Sequence, residues 1–213
     1  MARKKRIWYP GATYHVMNRG NRRNSVFANH DDYLSFIKHI QSVKEKYPFK
    51  LHALCLMTNH FHMLIETENS EIGKIMQRLT SLYAEEYNHK HNCIGHLFQG
   101  RYTACLIEDE NYFLEVSRYI HLNPVKANIT QKPEDYWYSN YFQFVSNNKS
   151  ADITRVHLNR LIGQLTETRR ILRAFGNNAE GYRNFVDDKI SHLEQEELIQ
   201  KDIKENSMWM PDN

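Results

Sequence analysis

An α+β fold with one antiparallel sheet, helices on one face of it and a helical C-terminal extension is predicted by three observations. Short stretches of alternating apolar residues recur between longer stretches with apolar residues at helical spacing. Their order is strand, helix, strand, strand, helix, strand, followed by a third helix. A chain of β-α-β-β-α-β is the split unit of ferredoxin-like sheets. After Ala127 the alternation stops, and from Ile153 onward only helical spacing remains.

Ala12-Thr13-Tyr14-His15-Val16-Met17 reads as a strand entered from the turn Pro10-Gly11 and broken by Arg19-Gly20-Asn21. Asp31 to Lys46 reads as a helix: Tyr33, Phe36, Ile37, Ile40 and Val43 share a face, and two aspartates suit its positive N-terminus. Pro48 ends it. Phe49–Met57 is a second strand, apolar on both faces, and His60–Glu66 continues it through Thr58-Asn59, either as a second strand after a tight turn or as one long bent strand. Ser70 is a suitable N-cap for a helix to about Tyr87, with Ile72, Ile75, Met76, Leu79, Leu82 and Tyr83 facing the core. A His-rich polar loop, Asn88–His96, precedes the strand Arg101–Ile107. Asp109 then caps a third helix, Glu110 to Asn123, closed by Pro124 because the residue before proline is pushed out of the helical region. Pro133–Tyr141 reads as an aromatic loop packed on the sheet. Helices over Ile153–Leu165, Thr168–Phe175 and from Ala179 complete the chain, which divides into residues 1–150 and an extension, 151–213.

At 213 residues, 41% hydrophobic and 25% charged, the chain has material for a real core. No apolar run approaches the ~18 residues of a membrane span, and the basic start lacks the apolar stretch of a signal peptide. With three unpatterned cysteines, this points to a reducing cytoplasm and no membrane partner. Net charge is only +3, but residues 1–30 hold seven basic residues and no acid, while residues 186–213 hold eight acids against three lysines. A basic arm fits a phosphate-bearing partner. A solvated tail explains Arg3–Arg6 equally well, and Arg19, Arg22 and Arg23, which follow a strand, less well.

Chemistry concentrates in Met57-Thr58-Asn59-His60-Phe61-His62-Met63-Leu64-Ile65-Glu66. On a strand His60 and His62 share a face with Cα atoms about 7 Å apart, close enough to converge on one metal ion. The same pattern, taken alone, fits a half-buried strand with two histidines on its wet face. Its complement lies in Glu115–Pro124, where Tyr119 and Asn123 stand one helical turn apart. A divalent ion held by His60, His62 and the Asn123 amide oxygen would polarise a phosphodiester, and Tyr119 would attack the phosphorus. A phenol with a pKa of about 10 needs such activation of its electrophile. Two imidazoles and one oxygen suit Mg2+ or Mn2+, with Zn2+ or Ni2+ able to bind more tightly in vitro.

His60-Phe61-His62 resembles the HUH motif, and Tyr119 with Asn123 resembles the tyrosine helix of single-tyrosine HUH transposases. REP-associated tyrosine transposases, relatives of the smallest insertion-sequence transposases, give the nearest resemblance. Gly11–Val16 with Arg19-Gly20-Asn21, Met57–His62, Phe98-Gln99-Gly100-Arg101-Tyr102, Tyr119–Ala127 and Pro133–Ser139 are similar to that family in order. The resemblance covers about residues 8–145. It implies a ferredoxin-like fold and a single-stranded DNA substrate with hairpin or palindromic elements. It also implies a 5′-phosphotyrosine intermediate that leaves a free 3′-hydroxyl, and a monomer or homodimer. Arg19, Arg22, Arg23 and Arg101 are then the expected DNA contacts, with Tyr14 stacking on a base.

Two other functions fit parts of the pattern. A non-catalytic single-strand binder would stack bases on Tyr14 or Tyr102 and would have no need of His60, His62, Tyr119 and Asn123 together. A phosphodiesterase using water would leave Tyr119 structural and form no covalent adduct. His89, His91, Cys93 and His96 match no zinc-site spacing and read as a polar loop.

Overall fold

Four strands form one antiparallel sheet: β1 (Thr13–Arg19), β2 (Phe49–Met57), β3 (His60–Thr67) and β4 (Thr103–Ile107), in the order β2-β3-β1-β4. This is the ferredoxin-like arrangement expected from the element order. The structure, a computed structural model, describes residues 7–145 and 152–190. The Arg3–Arg6 arm and most of the acidic stretch at the C-terminus lie outside the described residues.

Strand alternation divides the side chains between two cores. Tyr14, Val16, Leu54, Leu56, Phe61, Met63 and Ile65 face α1 (His30–Lys46) and α2 (Ile72–Lys90), where Phe36, Ile40, Ile75 and Leu79 are buried against them. Cys55, Met57, Leu64 and Ile107 belong to a second core with Phe113, Val116 and Ile120 of α3 (Glu110–Lys126). The two helices of the split unit thus share one face, and α3 covers the other. Each fully buried Leu, Ile or Phe contributes about 1.5–3 kcal/mol, so both faces are firmly held. The face carrying His60 and His62 is therefore not a wet one.

Several element ends differ from the sequence expectation for identifiable reasons. Thr58-Asn59 is a two-residue turn, so Phe49–Glu66 is two strands and not one bent one. β1 runs two residues further, because Arg19 still pairs with His60. The N-cap of α2 is Glu71, not Ser70, and the helix continues to Lys90, into the expected His-rich loop. In that segment His91 Nε2 lies 3.0 Å from Asp32 Oδ1, next to the Asn29–Asp32 capping box of α1. Most consequential is Pro124, which lies inside α3. A proline inside a helix removes its own N–H, leaving the carbonyl of Ile120 without its usual partner, and its ring crowds that carbonyl. Asn123 Nδ2 donates to the Tyr119 carbonyl at 2.9 Å and lies 3.5 Å from that of Ile120, and the helix passes through to Lys126.

β2 is an edge strand, and an uncovered edge invites pairing with other chains. The aromatic loop expected to pack on the sheet covers this one: Leu56 N–H donates to Tyr138 O at 2.9 Å and Leu54 N–H to Asn140 Oδ1 at 2.7 Å. Helices α4 (Phe142–Val145), α5 (Ile153–Leu165), α6 (Arg169–Arg173) and α7 (Ala179–Asp187) follow. Leu158, Ile162 and Leu165 enter the first core; Ile171, Tyr182 and Val186 enter the second. The extension shares the cores of the sheet. Among the described residues no helix is long and apolar enough to cross a membrane.

Candidate active site

Cross-strand register sets the histidines. Arg19 pairs with His60 and Met17 with His62, and directly paired residues of an antiparallel ladder share a face. His15 pairs with Leu64, which makes it the diagonal neighbour of His62. Its Nε2 lies 3.0 Å from His62 Nδ1 with the two rings stacked. His60 Nδ1 lies 2.6 Å from Asn59 Oδ1, and Asn59 Nδ2 donates to the Arg23 carbonyl at 3.2 Å. Since Asn59 Oδ1 can only accept, His60 carries its proton on Nδ1 and keeps the Nε2 lone pair. Burial lowers His60 to about 4, with the nearby Arg19 guanidinium adding to the effect. His62 is lowered well below its ordinary range, first by burial and then by His15, His60, Arg19 and Lys126. Both imidazoles are neutral at pH 7, the form that ligates metal.

α3 brings the phenol to this face. The Tyr119 ring sits edge-on to His62, with centroids 5.6 Å apart, and edge-on to His15 at 5.8 Å. Tyr119 retains 8% of its surface. Asn123, one turn on, is buried and uses its amide nitrogen on its own helix, so its oxygen is the ligand-type atom left. Lys126 Nζ lies over the Tyr119 ring, 4.6 Å from its centroid. The opposite side of α3 is pinned by buried polar groups. His121 Nδ1 lies 2.7 Å from Tyr182 Oη, and His121 Nε2 lies 2.9 Å from Asn140 Oδ1. Tyr182 Oη is also 3.1 Å from Ser117 Oγ. Tyr182 belongs to α7 and Asn140 to the segment on the β2 edge, so the helix carrying Tyr119 is fixed from both.

The arginines flank the histidines. After β1 a tight 3-10 turn, Asn21–Arg23, holds Arg22 and Arg23 at φ 52° and 61°, a region that side chains other than glycine rarely adopt. Both are exposed. Gly20 makes the turn feasible: a Cβ there would stand 2.1 Å from the Asn24 carbonyl oxygen. Arg101 is exposed on the segment before β4, two residues after Gln99, whose N–H donates to the Arg19 carbonyl at 2.9 Å.

The fold therefore brings His60, His62, Arg19 and Tyr119 to one place, with Asn123 on the adjoining turn and Arg22, Arg23 and Arg101 exposed. Tyr14 is the correction. It is 1% exposed, packed in the first core on the opposite sheet face, and its hydroxyl donates to the Ile7 carbonyl at 2.6 Å, so it offers no ring to a base. Tyr102 is buried as well. Among the described residues no three or more His, Cys, Asp or Glu side chains form a metal-holding group. The imidazoles are neutral, the state that a metal ion needs, and the Asn123 amide oxygen is a further ligand-type atom on the helix that carries Tyr119.

Three residues had no role in the sequence reading: His15, Asn59 and Lys126. His15 reaches His62 across 47 positions of sequence, and no local pattern carries such a contact. Lys126 lies seven residues after Tyr119, two turns along one face, a signal hidden by treating Pro124 as the helix end.

Comparison with known proteins places these features in context. The sequence profile described as "Transposase IS200 like" matches residues 9–123. A REP-associated tyrosine transposase bound to a REP hairpin is similar in structure, with TM-score 0.58 and 19% identity over 72% of this chain and 93% of that one. A candidate transposase from Deinococcus radiodurans shares 17% identity over 56% of this chain and 95% of that one, with TM-score 0.40. No curated protein matches.

Proposed function

The chain belongs to the IS200-like transposase family, and on that premise we propose that it is a metal-dependent single-stranded DNA nicking and strand-transfer enzyme acting through Tyr119. The reading makes it a REP-associated tyrosine transposase with a single catalytic tyrosine. One observation carries it: within one chain the Tyr119 ring stands against His62, beside a second histidine, on a sheet face otherwise closed by apolar packing.

His60, His62 and the Asn123 oxygen would hold Mg2+ or Mn2+. That ion, when bound, supplies Lewis-acid polarisation of the scissile phosphate. The residues of the chain do the rest. Arg19, Arg22, Arg23 and Arg101 hold the strand by its phosphates. Tyr119 Oη forms a bond to phosphorus as the bond from phosphorus to the 3′-oxygen breaks. The phenol proton is lost to solvent, and the departing 3′-oxygen takes one up, giving a 5′-phosphotyrosine and a free 3′-hydroxyl. Attack by another 3′-hydroxyl reverses the step and joins strands. Because Tyr119 and both histidines come from the same chain, a monomer has every group the step requires, and a homodimer is not needed to complete the site.

The REP hairpin held by the structural relative makes a hairpin-bearing single strand the first substrate to test. End-labelled hairpin DNA incubated with and without Mn2+ should be cut only with the ion, leaving label covalently on protein. Binding without cleavage at any ion concentration would instead favour a non-catalytic binder, although the burial of Tyr14 and Tyr102 removes the stacking platform that reading needs. Cleavage without a covalent adduct would favour hydrolysis by water.

A further inference from the structure

We propose that His15 is a positioning residue: it fixes the tautomer of His62, so that the His62 Nε2 lone pair is held ready for the ion. The inference rests on the metal site proposed above. His15 and His62 stack with ring centroids 5.2 Å apart and Nε2···Nδ1 at 3.0 Å. Both side chains are almost wholly buried, His15 at 2% exposure and His62 at 1%, so water does not compete for that contact.

A hydrogen bond between two neutral imidazoles contains one proton, and its owner decides what each ring can do elsewhere. If His15 Nε2–H donates, His62 carries its own proton on Nε2 and has no lone pair left for a metal. If His62 Nδ1–H donates, His15 Nε2 accepts and His62 Nε2 is free to ligate. Only the second arrangement serves the site. It gives His62 the relation to His15 that His60 has to Asn59, whose Oδ1 takes the Nδ1 proton at 2.6 Å. The two ligand imidazoles thus each have Nδ1 engaged, one by a turn residue and one by the neighbouring strand.

Strand register explains why a histidine serves at position 15. On β1 it is the diagonal neighbour of His62, within reach of a long side chain and too far for a short one. The T-shaped contact of the His15 ring with Tyr119, at 5.8 Å, packs the same residue against the nucleophile. Outer partners of metal-bound histidines are worth 10–100-fold in metal affinity, and His15 should fall in that range.

The experiment uses the full chain and two readouts. In the metal-free wild type, long-range 15N–1H correlation spectra should show His62 protonated on Nδ1. His62 protonated on Nε2 would overturn the proposal whether or not the protein binds metal. By calorimetry with Mn2+, His15→Phe should bind about 10–100-fold more weakly than wild type, and His15→Gln, whose amide oxygen accepts the same proton, should regain most of the loss. Wild-type affinity in His15→Phe, or equal losses in both variants, would overturn it. A wild type that takes up no Mn2+, with His62 protonated on Nδ1, would instead defeat the metal reading and leave the proton assignment standing.

Discussion

Acidification should unfold the chain in two separable windows, and the upper one belongs to buried histidines. His15 and His121 are 2% and 0% exposed, and burial lowers each from 6.5 to about 4. The unfolded chain keeps the ordinary value, so between the two values it binds protons that the native chain refuses. A folded pKa below the unfolded one means that stability is intact above pH 6.5 and is lost as pH falls toward 4. At 1.36 kcal/mol for each tenfold change, each ring removes about 3 kcal/mol over that window, and the pair about 6. The slope for these two is about 2.7 kcal/mol per pH unit, and His60 and His62, lowered in the same direction, steepen it. Against a typical total of about 5–15 kcal/mol, such a loss is large. Glu66 and Glu167, each lowered from 4.5 to about 2, contribute only below 4.5 and form the lower window. Urea unfolding at half-unit steps between pH 6.5 and 4, with chelator present, measures the slope. His121→Gln retains a polar partner for Tyr182 and Asn140 and should lower the slope by about 1.4 kcal/mol per pH unit. Stability that stays flat across this range, or an unchanged slope in the variant, would refute the reasoning.

Three further outcomes follow from particular contacts. His60→Ala and His62→Ala should each abolish Mn2+ binding and strand cleavage while the thermal midpoint in chelator stays close to wild type for His60, the more exposed of the two; cleavage at wild-type rates in the double variant would end the metal site. Arg22→Gln with Arg23→Gln should flatten the plot of log affinity for single-stranded DNA against log salt by about 0.7 per lost phosphate contact, about 1.4 in all; an unchanged slope would place the turn away from the DNA. Tyr182→Phe leaves His121 Nδ1 and Ser117 Oγ without the hydroxyl they share, at a cost of about 1–3 kcal/mol. At about 2–4 °C per kcal/mol for a chain of this length, calorimetry should detect it, and a shift below 1 °C would contradict the network.

The fold was legible because it rests on periodicity. Alternation in β1 to β4 and helical spacing in α1, α2 and α3 are local properties, and the order of those elements selects the sheet topology. His60, His62, Tyr119 and Asn123 were legible for a related reason, since each pair lies on one strand or one helix face. What escaped the sequence depends on contacts between distant segments. Tyr14 shares a strand face with Ala12 and Val16, an apolar row that a base-stacking role overlooks, and the packing of α1 and α2 buries it. Pro124 misled because local conformational preference was overridden: packing of α3 on the sheet holds the helix through it. His15 became visible only when strand pairing set it diagonally across from His62.

The central claim is that Tyr119 is the nucleophile of a DNA-cleaving site built on His60 and His62. Its most direct test is mass spectrometry of the covalent complex trapped on labelled single-stranded hairpin DNA with Mn2+. The nucleotide should map to the peptide bearing Tyr119, joined through its 5′-phosphate. Tyr119→Phe, which keeps the ring against His62 and removes only the attacking oxygen, should bind Mn2+ and DNA as wild type yet give neither cleavage nor adduct. An adduct on another tyrosine, or cleavage by Tyr119→Phe, would contradict the account.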